Sequence, residues 1–211
     1  LWALLGNQGG PSTYKIGFIA PLSGDAATYG EPMRNLVQIA VDEINTAGGV
    51  KGKKLEVVYE DDKCAGKDAA NAIQKLINVD KVQVVIGSAC SGATLAAVPV
   101  AESAKVVLFS PAASSPDLTG KSQYFFRDYP SDASQGKVLA EVAYNQKKWH
   151  KVAFIQEQLD YPLGIYKAFS ATFQELGGAV TKEEFPSATT DFRSILVKIK
   201  SQNPDAVFVD T

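Results

Sequence analysis

This chain of 211 residues has one histidine, two cysteines and one methionine. Each scarcity excludes something. A lone histidine, His150, rules out a histidine-rich metal centre, and two thiols fall short of the four ligands of a structural zinc site. No apolar run approaches the roughly 18 residues of a membrane span. Lysine and arginine number 21 against 23 aspartates and glutamates, so no global basic field draws the chain to nucleic acid. Neither G-x-G-x-x-G nor G-x-x-x-x-G-K-[ST] occurs, which removes the common dinucleotide and P-loop readings. A nucleophile elbow requires G-x-S-x-G; around Ser91 the order is Ala89-Cys90-Ser91-Gly92-Ala93, with both glycines misplaced. His150 precedes a strand, at the wrong edge of a sheet to serve Ser91 as a base. Catalysis therefore has no visible set of residues.

What is present is an ordinary globular composition, 45% hydrophobic and 21% charged. The apolar opening, LWALLG, lacks a basic n-region and a full h-region, so residues 1–12 read as a leader or other appended remnant. From Tyr14 onward short apolar strands alternate with helical stretches. A strand over 14–20 leads to a helix opened by Pro32, whose stripe of Met33, Leu36, Val37, Ala40, Ile44 and Ala47 is expected to face a core. Strands follow at 55–60, 82–86 and 106–109, with helices at 67–79 and from about 93. After an extended stretch at 122–130, helices at 136–147, 162–176 and 191–200 alternate with strands at 152–156, 179–185 and 206–210. This rhythm predicts an α/β fold of parallel sheets covered by helices on both faces. Two series joined near 126–132 suggest two lobes, 13–125 and a partial second lobe at 126–211. The last strand, Val207-Phe208-Val209, has no further element to cover it, so the second lobe is expected to be small or incomplete.

In open parallel sheets ligands bind beyond the carboxyl ends of the strands. The loops there, PLSGDAATYGE, GSACSGAT, SPAASSPDLT and EQLDYPLG, are rich in hydroxyls, glycine and tyrosine. Such a lining suits a modest polar-plus-apolar ligand. Ser91 and Ser114-Ser115 run into helix N-termini, where free amides and the helix dipole can seat a carboxylate. As plain N-caps, Ser91 and Ser114 would instead contribute about 1 kcal/mol each. Tyr29 and Tyr161 read equally as ligand walls or as half-buried loop aromatics. Asp61-Asp62 lacks a third ligand or a lysine motif and is expected to be a solvated loop end. Cys64 and Cys90 could be buried thiols or one disulfide.

The run YKIGFIAPLSGDAATYGEPMRNLVQIAVDEINTAGGVKGKKLEVVYEDDKC resembles the start of branched-chain amino acid (Leu/Ile/Val) binding proteins, type I periplasmic solute-binding proteins of ABC transporters. VIGSACSGATLAAVPVAE, SPAASSPDLT and FFRDYPSDASQG followed by VAFIQEQLDYPLG resemble later segments, in order. The resemblance implies a two-lobed periplasmic binding protein fold that closes on a small carboxylate ligand, an amino acid or aromatic acid. It implies that Ser91 and Ser114 hold the carboxylate with backbone contacts at Ala112 and Ala113, while Tyr29 and Tyr161 cover the ligand from either lobe. It also implies a Cys64–Cys90 disulfide, an extracytoplasmic location and an ABC permease as partner, with no cofactor, metal or nucleic acid. Relatives are longer, so further chain or a second polypeptide is expected to complete the fold. A ligand-sensing module on the same fold is the alternative, whereas a LacI-type repressor is disfavoured because no helix-turn-helix precedes Tyr14.

Overall fold

The computed structural model describes residues 13–211; the leader remnant expected at 1–12 lies outside them. Among the described residues eight strands and six α-helices follow one another, alternating except that the fourth and fifth strands are consecutive. They are β1 (Thr13–Ala20), α1 (Ala27–Thr46), β2 (Lys54–Asp61), α2 (Gly66–Asn78), β3 (Val84–Ile86), α3 (Ser91–Ala104), β4 (Val107–Ser110) and β5 (Phe125–Arg127). Then come α4 (Asp132–Glu141), β6 (Lys151–Glu157), α5 (Asp160–Glu175), β7 (Ala179–Phe185), α6 (Arg193–Gln202) and β8 (Ala206–Asp210). A one-turn 3-10 helix, Pro116–Leu118, interrupts the link from β4 to β5, and α4 runs on into a π-type turn at Val142–Gln146.

The strands form two parallel sheets, one in the order β2-β1-β3-β4-β5 and one in the order β7-β6-β8. The expected α/β architecture is present, and the chain leaves the first sheet after Arg127. Burial follows position in the sheet. Inner β1 buries Phe18, Ile19 and Ala20 in succession, and central β6 buries Val152 to Gln156, because helices cover both faces of an inner parallel strand. On α2, Ala69, Ala72, Ile73 and Leu76 are buried at helical spacing, and the last three pack under the first sheet with Val85, Ala97, Val98 and Leu108. On α5, Ile165, Phe169 and Phe173 form the matching stripe against Val152 and Phe154.

Helix α4 lies directly on α5. A β-carbon at Gly136 would stand 2.6 Å from Ala168 Cβ and 2.7 Å from the Phe169 amide nitrogen, so only glycine lets the helices approach this closely.

Three expectations need correction. Helix α1 starts at Ala27, not Pro32: hydrogen bonds from Ala27 N to Gly24 O and from Tyr29 N to Ala26 O set the first turn ahead of the proline. Pro32 then costs only a single amide donor near the helix start. The apolar stripe of α1 is not a core face either, since Leu36 and Ile44 are exposed and Val41 is the buried side chain. Periodicity locates an apolar face, and among the described residues nothing covers this one. Asp61-Asp62 is not a solvated loop end. Asp62 is fully buried and its carboxylate accepts the Cys64 amide, while Asp61 accepts from Leu22 N, Ser23 Oγ and Lys63 N. Burial alone would raise Asp61, but those hydrogen bonds outweigh it and hold the carboxyl below its ordinary value.

Candidate functional site

Parallel strands all point their carboxyl ends the same way, so the loops leaving β1, β3, β4 and β6 gather on one side of their sheets. Helix α3 begins at Ser91 itself, with Cys90 in the cap position and no side chain closing that end. Ser91 is therefore not the N-cap the sequence suggested. Its Oγ accepts a hydrogen bond from the Ser115 amide at 3.2 Å, which leaves the hydroxyl proton to be donated elsewhere. The first-turn amides of α3 have no carbonyl one turn earlier within the helix, and they point along the positive end of its dipole.

The loop after β4 is fixed from beneath. Ser110 Oγ accepts from Ala113 N at 3.0 Å and donates to Ser88 O at 2.6 Å. Arg127 Nη1 donates to the carbonyls of Ala113 and Ser115, at 3.2 and 2.9 Å. The capping role read for Ser114 belongs to its neighbour, since Ser115 Oγ accepts from Asp117 N at 3.3 Å. Ser114 is freed for other contacts: its carbonyl accepts from Asp132 N at 3.0 Å and its hydroxyl lies beside the Asp132 carboxylate.

The second sheet meets this loop through α5. A β-carbon on Gly164 would stand 2.7 Å from Pro116 Cδ, and one on Gly92 would stand 2.7 Å from Asp160 Oδ2. Lys167 Nζ pairs with Asp117 at 2.9 Å across the same junction. Tyr161, in the first turn of α5, packs partly buried against the core of the second sheet near this junction. Burial pushes its hydroxyl above the ordinary range, and Asp210, Asp132, Tyr129 and Tyr29 add to the shift. Tyr29 on α1, largely exposed, and Tyr161 on α5 lie within electrostatic reach of each other and of Asp132 and Asp210, and together these groups outline the candidate cleft.

Three residues in this cleft escaped sequence reasoning: Tyr129, Asp132 and Asp210. Asp132 opens α4 and is only 2% exposed, with Oδ2 buried and unpartnered. Asp210 ends β8, and its Oδ2 is likewise enclosed without a partner. Burial raises Asp132; the Ser114 hydroxyl and Arg127 oppose that rise. Burial and then the Asp132 charge push Asp210 up to about 6. The available signal was position: Asp210 is the last residue of a parallel strand, as the other cleft loops are strand-end loops.

The folded-state value of Asp210 lies above the ordinary 3.8, so the folded chain holds a proton that the unfolded chain releases. The group costs stability above about pH 6, and that cost fades as pH falls toward 3.8. Because Asp210 is half-open to solvent, Asp210→Asn is expected to stabilise the protein at pH 7.5 by only on the order of 1 kcal/mol. The gain should shrink as denaturation is repeated down to pH 4.5; a gain independent of pH would contradict the assignment.

A family model described as Periplasmic binding protein matches residues 13–210. The chain is 31% identical over 197 residues to Leu/Ile/Val-binding protein homolog 3 of Brucella melitensis biotype 1, covering 92% of this chain and 53% of that protein. It is similar to the crystal structure of the branched-chain amino acid transporter substrate binding protein LivJ from Streptococcus pneumoniae in complex with isoleucine. That match has a TM-score of 0.81 and 39% identity over 93% of this chain and 56% of the other. A solute binding protein of an ABC transporter from Rhodopseudomonas palustris BisB5, in complex with 3,4-dihydroxybenzoic acid, matches at TM-score 0.81 and 30% identity, covering 94% and 54%. The chain spans about half the length of the relatives it matches. The disulfide implied by the resemblance is present, linking Cys64 to Cys90.

Proposed function

The chain belongs to the periplasmic binding protein family, and from that premise we propose that it grips a small carboxylate-bearing solute between two lobes for an ABC importer. What supports this reading is that Ser91 at the start of α3 bonds to the Ser115 amide, Ser114 lies beside Asp132, and Tyr161 and Tyr29 lie within electrostatic reach of that same aspartate or of each other. In this reading, the Ser91 hydroxyl and the amides of the α3 first turn take the carboxylate, aided by the Ser114 hydroxyl and the backbone at Ala112 and Ala113. Tyr161 closes from the second lobe and Tyr29 from the first. No step of bond making is involved: the site binds, excludes water and releases. The permease is the partner that reads closure, and the working place is the extracytoplasmic side.

The test is titration of the full-length protein by calorimetry with branched-chain amino acids and with benzoate-type acids. A member of one class is expected to bind, and Ser91→Ala to weaken it about 10- to 150-fold, the worth of a hydrogen bond to a charged group. Absence of binding by every member, or an unchanged affinity in Ser91→Ala, would overturn the proposal.

A further inference from the structure

Two arms of the proposed carboxylate seat, the first turn of α3 and the loop after β4, hang on one carbonyl. Ser88 O accepts from Thr94 Oγ1 of α3 at 3.2 Å and from Ser110 Oγ at 2.6 Å, and Ser110 Oγ in turn holds the Ala113 amide at 3.0 Å. Ser88, Thr94 and Ser110 are all fully buried. Whatever fixes Ser88 therefore fixes the seat. Its backbone is pressed against β1, since a β-carbon at Gly87 would stand 1.9 Å from Ile19 O. Asp62 is tied to the same strand end, its amide donating to Ala20 O at 3.0 Å. Two residues beyond each, the Cys64–Cys90 bridge holds the two segments with Cα atoms 5.4 Å apart. Between these ties the Asp62 side chain is wholly enclosed. One of its oxygens accepts the Cys64 amide at 2.9 Å; the other lies beside the Ser88 hydroxyl, and neither of those two atoms has a different partner. Donation of the hydroxyl to the carboxylate satisfies both, and each would be costly to bury alone.

We propose that Asp62 is a positioning residue of the carboxylate seat, locking Ser88 so that α3 and the β4 loop present their donors at one fixed separation. This rests on the binding reading above and deepens it, because it names what favours a carboxylate over the uncharged carboxamide of the same shape. Asp62 exposes no atom to a ligand, so it acts only through Ser88. A carboxylate gathers donors from both arms at once, and such charge-assisted bonds weaken steeply when distance and angle are lost. Once Ser88 loses its partner, its carbonyl is free to shift, and Thr94 and Ser110 shift with it. A carboxamide offers one acceptor oxygen in place of two, so it gains less from the fixed spacing and loses less when the spacing goes.

Calorimetry on the full-length protein tests this with leucine and benzoate and with their carboxamides, leucinamide and benzamide. Ser88→Ala and Asp62→Ala are each expected to weaken binding of the acid about tenfold and to change the carboxamide far less, so that the preference for the acid shrinks. Asp62→Asn should stay within about threefold of the parent, because its carbonyl still takes the Cys64 amide and its NH2 can donate to the Ser88 oxygen. Ser88→Ala combined with Asp62→Ala should bind the acid within about twofold of the weaker single variant, as expected of two residues acting through one contact. A purely structural role would instead weaken acid and carboxamide alike and add up in the double variant, and that result overturns the proposal. So does an unchanged acid affinity in Ser88→Ala, the variant that decides the matter should Asp62→Ala fail to fold. Acid binding that depends on Ser91 but on neither Ser88 nor Asp62 refutes the positioning role and leaves the binding reading standing. If neither acid binds the parent, both readings fall together.

Discussion

Phe169→Ala is expected to cost the protein about 3–5 kcal/mol, as measured by urea denaturation of the full-length polypeptide. Phe169 is fully buried on α5 and makes ring contacts with Phe173 at 5.1 Å, Phe208 at 5.0 Å and Phe154 at 5.7 Å. Those rings come from α5, β8 and β6, so one side chain holds a helix against two strands. Truncation would remove the apolar transfer energy and leave a cavity that the surrounding rings cannot close, because each is anchored on a separate element. Gly136 stacks α4 on the same part of α5, so a shift of α5 toward the cavity would drag the α4 contact with it. Phe169→Leu should recover most of the loss. A cost below about 1 kcal/mol would show that the aromatic cluster does not hold the second sheet to its helices.

Removing the Cys64–Cys90 bridge is the second large effect. The two residues are 26 apart in sequence, and closing a loop of that size restrains the unfolded chain by about 3.5 kcal/mol in the chain-entropy account. Cys64→Ser combined with Cys90→Ser is expected to lower stability by roughly that amount, and a reductant should lower the parent equally while leaving the double variant unmoved. The bridge also ties down the start of α3, where the proposed carboxylate seat lies. Cys90 is the cap residue of α3, next to Ser91, and Cys64 follows the buried Asp62 whose carboxylate holds its amide. Ligand affinity should therefore fall several-fold in the double variant, through a looser carboxylate seat. Full stability in reductant would mean that the packing around Asp62 and α3 holds these loops without the covalent tie.

Local pattern was a dependable guide where one physical term dominates. Strands β6, β7 and β8 fall within a residue of their expected ranges: inner β6 is a buried, mostly apolar run, edge strands β7 and β8 alternate in burial, and glycine pairs or polar runs bound them. Helix starts were harder to read. Pro32 carries the signature of a first helical position, yet α1 begins five residues earlier, since turn bonds at Gly24 and Ala26 open the helix. Ser91 carries the signature of a cap, yet it sits inside α3 and bonds across to the β4 loop, a contact with a residue 24 positions away. Cap propensity describes what a serine does with its own helix, and it is silent about a better-placed amide from elsewhere.

The sequence by itself determined the α/β class and pointed to the strand-end loops as the expected place for a ligand. Both rest on short-range periodicity and on residue chemistry, which are written along the chain. Tertiary structure decided which loops meet. It brought Asp132 and Asp210, 78 positions apart by number, into one electrostatic neighbourhood with Tyr161. It also left the α1 stripe uncovered among the described residues and turned Asp61-Asp62 from a solvent-facing pair into a hydrogen-bonded brace in which Asp62 is buried. The reason is physical: the order in which parallel strands pair, and the side from which each helix returns, follow from the summed packing of the whole chain. No local window holds that sum.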